Sequence, residues 1–486
     1  MANPGLADVA ADVAALKMGA GDLATAINMT WTLVCGFLVM FMQAGFALVE
    51  TGLCRRKNAA HVMSMNFLVY SIGVLGFWAL GFGLQMGGVG ALATLGGDAT
   101  LSSEFTINVA GKSHGLFGMT GFLLPSEAFT PAVATLFLFQ MVFMDTTATI
   151  PTGAMAERWR FASFVLFSFV ISSVIYPLYA NWVWGGGWLA TLGSNYGLGH
   201  GHVDFAGSSV VHMTGGVAAL VGAKMLGPRL GKFTKEGKAA PIPGHNIPMA
   251  LLGAFILALG WFGFNPGSTL AATDTRIAIV AVNTMLASAS GAFAAAVFVW
   301  TRFGKPDPTW LANGMLGGLV AITAPCAFVG ASAAIFIGAA AGVLVVVSAT
   351  FIERVLKIDD PVGASSVHGA CGAWGILALG LFANGSYGEG FNGVRGKVTG
   401  LFFGDAQQFL AECVGIAVNV VFVGSMTAIT LFVIDKLVGN RVSAAHELEG
   451  LDIPEMGLAA YPSNPNLLPG ELDEPTRTRS NRSLRA

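Results

Sequence analysis

The chain has 486 residues, of which 54% are hydrophobic and only 11% are charged, with 65 glycines and a net charge of −2. Length alone would suggest about three domains, but this composition and a mean hydropathy of +0.68 indicate a polytopic membrane protein. The small net charge gives no reason to expect a nucleic-acid partner, and the expected surroundings are a lipid bilayer.

Apolar stretches of about 20 residues predict membrane-spanning helices, because that length crosses the hydrocarbon core. The chain contains eleven such stretches: 28–50, 61–82, 131–155, 161–183, 204–226, 246–265, 276–300, 310–329, 332–353, 364–383 and 408–434. They define a transmembrane domain over 28–435. It follows an extracytoplasmic N-terminal segment, 1–27, that lacks the basic start and cleavage site of a signal peptide. We expect the cytoplasmic segment 436–467 to fold and the charged, aromatic-free segment 468–486 to be disordered.

Basic residues follow the odd-numbered spans and are scarce after the even-numbered ones. Arg55, Arg158 and Arg229 belong to the connectors after spans one, three and five. Since cytoplasmic loops carry most of the lysine and arginine, the N-terminus is predicted outside and the C-terminus in the cytoplasm. The Gly-rich connectors 83–130 and 385–397 then lie outside, either as ordered caps over a pore entrance or as plain linkers.

Two predicted spans carry the same pair of ionisable residues. Asp204 precedes His212 by eight residues, and Asp360 precedes His368 by the same interval. Spans five and ten run in opposite directions under the predicted topology. The repetition therefore predicts an all-α polytopic fold of two inverted five-helix repeats plus a final helix, with both histidines at one site near the midplane.

Each of these ionisable residues also has a structural interpretation. A single membrane histidine is usually a hydrogen-bonded packing residue, whereas a matched pair in inverted halves favours a shared functional site. A metal site would need further ligands, and no Cys or Glu stands beside the histidines, so no bound metal is predicted. Asp204 and Asp360 follow polar connectors, where a carboxylate caps a helix N-terminus. For Asp204, on the outer side, stabilising an arriving cation is an additional role.

Aromatic residues and a further carboxylate complete the candidate set. Trp184 stands at the outer end of span four, either as part of an interfacial aromatic belt or as a cation–π partner. Asp145 is either hydrogen-bonded to Thr146, Thr147 or a backbone amide, or is a second cation-stabilising or proton-accepting group near a pore. Spans three and six add side chains that are either packing residues or pore-lining ones: Phe139, Phe143, Phe264 and Ser268.

Several longer motifs resemble the ammonium transporter, methylammonium permease and Rhesus family. They are DFAGSSVVHMTGG, WFGFNPGS, FQMVFMDTTATIPTGAMAERWRF, VHGACGAWG and the tail motif ELEGLDIPEMGLAAY, and the resemblance covers about 28–461. It implies ammonium or ammonia as the substrate, no cofactor, and a homotrimer in the cytoplasmic membrane with one pore per subunit. Ser208 and Asp145 depart from the family pattern, which commonly has glycine and a small neutral residue there.

The resemblance also implies roles for individual residues. An external ammonium recruitment site would comprise Trp184, Phe143, Ser268 and Asp204. A phenyl gate would comprise Phe143 and Phe264, and a twin-histidine pore His212 and His368. Supporting positions would be Phe139, Trp261, Asp360 and Asp145. Gly450 and Asp452 would belong to a regulatory tail that either meets a PII-type signalling protein or braces neighbouring subunits.

The expected function is inward ammonium transport, with NH₃ conducted and the proton relayed by the histidines. An ammonium sensor of the same fold with little transport is the alternative. Such sensors usually carry an appended signalling domain, whereas about 50 residues follow the last predicted span. A Rhesus-like neutral channel is disfavoured by Trp184 and the tail, and no nucleophile, metal or cofactor motif indicates an enzyme.

Overall fold

The computed structural model describes residues 6–461, and most of them are helical. The helices are α1 (Leu6–Leu53), α2 (Ala59–Gly76), α3 (Phe82–Met86), α4 (Pro131–Met155), α5 (Phe161–Val170), α6 (Tyr176–Trp184), α7 (Leu192–Tyr196), α8 (Thr214–Leu226), α9 (Ile247–Phe264), α10 (Arg276–Phe303), α11 (Pro308–Thr323), α12 (Ala331–Arg354), α13 (Cys371–Phe382), α14 (Ala406–Leu437), α15 (Ala444–Glu449) and α16 (Asp452–Met456). Within the described range, ten helical segments are long and apolar enough to cross a membrane. The 16-residue α11 covers most of the predicted eighth span. The multi-pass helical prediction is therefore confirmed.

Two small antiparallel hairpins depart from the all-α prediction. Strands β1 (Glu104–Val109) and β2 (Lys112–Gly118) lie in the first long outer connector. Strands β3 (Asn384–Glu389) and β4 (Lys397–Thr399) lie in the second. In the first hairpin the tight turn is made by Ala110 and Gly111, both with positive φ, which is the backbone that two-residue hairpin turns require. Both connectors therefore contain ordered structure.

The first helix begins at Leu6, whereas the sequence places the first span at 28–50. The segment 6–27 is rich in alanine and leucine and contains no proline, so its helix propensity lets α1 continue beyond the bilayer. Most side chains of residues 9–27 are exposed. Residues 6–27 are thus a helical continuation of the first span.

Connectors that follow odd-numbered spans meet on one face of the protein. Arg229, after span five, pairs with Glu157, after span three, and with Asp359, after span nine. On the opposite face, Asn392, after span ten, donates to the backbone carbonyl of His200, after span four. This alternation is the one predicted from the lysine and arginine distribution, with the C-terminus in the cytoplasm.

The inverted repeats meet where the two histidine-bearing segments cross. The π-helical turn Ser208–Met213 leads into α8, and the π-helical turn Ser365–Ala370 leads into α13. α8 packs against the second turn and α13 against the first. A Cβ on Gly216 would lie 2.1 Å from the backbone nitrogen of Gly369, and one on Gly372 would lie 2.5 Å from the carbonyl oxygen of Ser208. Both repeats therefore use a glycine four residues after the histidine for this close approach.

Gly216→Ala is expected to push the two histidine turns apart. The added methyl group meets backbone rather than a movable side chain, and overpacking of this kind costs about 1–3 kcal/mol of unfolding free energy. The variant should therefore show a lower melting temperature in detergent than the native protein. Gly424→Ala is the matched control, because a Cβ there lies 3.7 Å from the nearest atom of Val217. Equal melting temperatures for the two variants would contradict the expectation.

Candidate functional site

Both histidine turns begin at an aspartate that caps backbone N–H groups. Asp204 Oδ1 accepts from the N–H groups of Gly207 and Ser208 at 2.8 and 2.9 Å. Its Oδ2 accepts from those of Ser209 and Val210 at 2.7 and 2.9 Å. These are the free donors that start a helix, so the capping role expected for Asp204 is present.

Asp360 makes the equivalent bonds in the second repeat. Its carboxylate accepts from the N–H groups of Gly363, Ala364 and Ser365 at 3.0, 3.2 and 2.7 Å. In both repeats, therefore, the aspartate accepts from the N–H groups of the residues three, four and five positions after it. The shared spacing in sequence thus corresponds to a shared cap.

The rings of His212 and His368 meet in the interior of the protein. Their Nδ1 atoms are 3.2 Å apart and their ring centroids 5.3 Å apart. A neutral imidazole has one donor and one acceptor nitrogen, so one ring must donate through Nδ1 and the other accept. The pair therefore shares one proton between its two Nδ1 atoms.

Apolar rings surround this pair. Trp261 stacks on His212 at a centroid distance of 5.1 Å, and Phe264 lies 5.3 Å from the same ring. The Trp261 indole N–H points away, donating to the Thr323 hydroxyl at 2.9 Å. Phe46, on α1, lies 5.8 Å from His368. The histidines thus provide polar atoms within an otherwise apolar passage.

A cavity of about 200 Å³ lies on the outer side of the histidines. It brings together all five candidates that the sequence places near an outer mouth: Phe139, Phe143, Trp184, Asp204 and Ser268. Ser268 Oγ donates to the carbonyl of Phe264 at 2.8 Å, which leaves its lone pairs able to accept. The Trp184 indole N–H donates to the carbonyl of Asp204 at 2.7 Å, and this bond fixes the ring at the cavity wall.

Stacked phenyl rings separate this cavity from the histidines. The rings of Phe143 and Phe264 have centroids 4.0 Å apart, and both side chains are buried. Phe139 lies 4.7 Å from Phe143, and Trp184 meets Phe143 edge-on at 5.9 Å. This stack closes the passage with apolar surface.

The two departures from the family pattern differ in their surroundings. The Ser208 hydroxyl donates to the carbonyl of Val320 and accepts from the N–H of Ala324, both at 2.7 Å, so it joins the first histidine turn to the end of α11. Asp145 is buried on α4, about 200° around the helix from Phe143. The expected bond from Thr146 or Thr147 is not formed, because these hydroxyls donate to backbone carbonyls four residues earlier.

A larger cavity of about 560 Å³ opens at the cytoplasmic side. Arg229 at its edge is buried and donates to Asp359 at 2.8 and 3.0 Å and to Glu157 at 3.0 Å. Burial raises the pKa of Asp359, but the bonds from Arg229 and the charges of Arg229 and Arg158 outweigh it and hold that pKa at about 2. Burial lowers the pKa of Arg229, and the same carboxylates more than offset it.

The described part of the tail folds against the cytoplasmic face of its own chain. Asp452 accepts from the N–H of His61 at 3.0 Å. Gly450 has a φ of 112°, and a Cβ there would lie 2.4 Å from the carbonyl oxygen of Lys57. Both predicted tail residues therefore lie at this contact. The segment 468–486, predicted to be disordered, is outside the described residues.

Sequence reasoning missed several residues of the passage. Phe205 and Leu270 line the outer cavity, and Phe46 and Glu50 lie on the cytoplasmic side of His368. Phe205 stands inside the motif DFAGSSVVHMTGG, but nothing in the motif separates it from a packing residue, and no quoted motif contains the other three. Glu50, a carboxylate inside the first predicted span, was the one available signal.

The ammonium transporter family model matches residues 30–461. The chain belongs to the ammonium transporter family. It is 43% identical to ammonium transporter Amt2 of Archaeoglobus fulgidus over 90% of this chain and 88% of that protein. It is 37% identical to ammonium transporter Amt1 of Haloferax mediterranei over 92% and 81%, respectively.

Solved structures of the family have the same fold. A structure titled a sensor Amt protein is 33% identical, with a TM-score of 0.77, covering 89% of this chain and 99% of its own. Saccharomyces cerevisiae Mep2 is 26% identical, with a TM-score of 0.72, covering 86% and 88%. The curated relatives are named ammonium transporters, and the family places this multi-pass chain in the cell membrane.

Proposed function

We propose that the protein carries ammonium into the cytoplasm through the passage between the outer cavity and the twin histidines. NH₄⁺ binds in the outer cavity and loses a proton there. NH₃ then crosses the phenyl gate, and His212 and His368 relay the proton. The observation that carries this proposal is the 3.2 Å contact between the two Nδ1 atoms at the crossing of the repeats. The names of the relatives support ammonium as the substrate.

The proposed recruitment site suits a small cation that can shed its charge. Trp184 offers a π face, worth about 0.5–2 kcal/mol depending on desolvation. Ser268 offers an acceptor, and the Asp204 carboxylate adds negative potential. Potassium has the same charge and nearly the same size, but it cannot lose its charge before the apolar gate. Selectivity would therefore arise from deprotonation rather than from ion size.

The assembly and regulation are also proposals. The family resemblance supports a homotrimer with one pore per subunit. The tail, held against the cytoplasmic face through Gly450 and Asp452, offers a surface for a PII-type signalling protein. A tail that only braces the subunits is the alternative.

A sensor with little transport is the second candidate function, because the structure titled a sensor Amt protein shares the whole fold. Ammonium pulses applied to proteoliposomes of the purified protein distinguish the two, with potassium and sodium pulses as controls. We expect a sustained current with ammonium and none with the other cations. Ammonium binding without current or internal pH change would favour the sensor, whereas an internal pH change without current would indicate transport of neutral ammonia.

A further inference from the structure

A small cavity lies on the cytoplasmic side of the histidine pair. Its wall includes His368 and the carboxylate-bearing residue Glu50 of α1. Most of the remaining wall is apolar: Phe46, Val49, Ile150, Leu257, Leu316, Val362, Ala364 and Val367. The volume of about 20 Å³ is enough for one water molecule. Glu50 and the inner histidine therefore border one cavity that has room for a single water.

This small cavity adjoins the larger cytoplasmic one. Asn313 and Val362 line both cavities. His368 is 5% exposed, whereas His212 is 0% exposed. The small cavity beside His368 and Glu50 is thus adjacent to the cytoplasmic mouth, with Asn313 and Val362 between them.

The Glu50 side chain is held in place by neutral donors. Its carboxylate accepts from the Asn66 amide at 2.6 Å and from the Thr152 hydroxyl at 2.8 and 2.9 Å. The Thr152 hydroxyl also lies 2.5 Å from the carbonyl of Thr149. A glutamine could accept from Asn66 and donate to Thr152, whose proton would then go to Thr149. Packing alone therefore does not require an ionisable group here.

A negative charge at this position is otherwise unfavourable. Glu50 is 2% exposed, and burying an ionised side chain is costly unless an opposite charge pairs with it. It also lies in the last turn of α1, where the helix dipole disfavours a carboxylate. A carboxylate that is present despite its burial and the helix dipole, beside a histidine and a cavity, indicates a chemical role.

We propose that Glu50 is the proton acceptor at the inner end of the pore. This proposal rests on the proton relay of the proposed function. A proton on His368 passes through one water in the small cavity to the Glu50 carboxylate, which becomes a neutral acid. Glu50 then releases the proton to water of the larger cavity, and its carboxylate is restored.

Ammonium-evoked current in proteoliposomes tests this assignment with Glu50→Gln. We expect the maximal current to fall about 100-fold, as for the loss of a positioned proton-transfer group. The ammonium concentration for half-maximal current should not change, because the outer cavity is untouched. Glu50→Asp should recover part of the current, because it restores a carboxylate. The recovery should be incomplete, because the aspartate side chain is one methylene shorter.

The outcomes separate this proposal from the proposed function. Glu104→Gln is the control, since it makes the same chemical change in a partly buried carboxylate of the outer hairpin. Native current together with undiminished Glu50→Gln current would overturn the role of Glu50 and leave the histidine relay intact. Absence of current in the native protein, with ammonia still entering, would overturn both. A loss of ammonium affinity alongside the current would show a structural role and also overturn the assignment.

Discussion

The double variant His212→Leu with His368→Leu is expected to lose ammonium-driven charge movement completely. Leucine fills a similar space but has no ring nitrogen to bind a proton, so the shared site between the two Nδ1 atoms disappears. A bare charge would then have to cross an apolar segment, where even insertion scales assign a cost of about 2.5–3.5 kcal/mol. The measurement is the current evoked by an ammonium pulse on proteoliposomes of the variant.

His61→Leu is a matched control for this double variant. His61 is buried on α2 against Phe161, away from the two histidine turns, and both of its ring nitrogens lack partners among the described residues. Replacing it therefore removes a buried imidazole without breaking a hydrogen bond, and current should persist. An undiminished current in the double variant would eliminate the proton relay from the mechanism.

Local motifs predicted the histidine turns well. Asp204 precedes His212 by eight residues, and Asp360 precedes His368 by the same interval. This spacing indicates two helix caps and two buried rings, because each cap and each ring belongs to one short segment of the chain. The inverted orientation followed from the charge of the connectors. The structure places Phe139, Phe143 and Trp184 around one outer cavity, and their part in recruitment is a proposal.

Features that depend on distant packing could not be predicted in the same way. Glu50 shares a cavity with His368 only because α1 lies beside the second repeat, and the Ser208 hydroxyl donates to Val320 on α11. Of the interpretations of Asp145, a bond from Thr146 or Thr147 is not formed, because both hydroxyls donate to carbonyls within their own helix. Sequence spacing does not show which of several acceptors a hydroxyl selects.

Arg229→Met is expected to cause the largest loss of stability among single substitutions on the cytoplasmic face. It leaves Asp359 buried without its partner, and breaking a buried pair in this way costs about 3–5 kcal/mol. Glu157 keeps its bond to Arg55, so the main unpaired charge is Asp359. The expected result is a clear drop in melting temperature in detergent at neutral pH.

Adding Asp359→Asn to Arg229→Met should recover part of that loss, because it removes the unpaired charge. Arg276→Met is the control, since the Arg276–Asp274 pair is 29% and 23% exposed and exposed pairs contribute about 0–1 kcal/mol. Acid tests the same pair in the native protein. The pKa of Asp359 is lowered from 3.8 to about 2, so its contribution is present above about pH 4 and is lost as the pH falls toward 2. Equal melting temperatures for Arg229→Met and Arg276→Met would show that the buried pair does not stabilise this face.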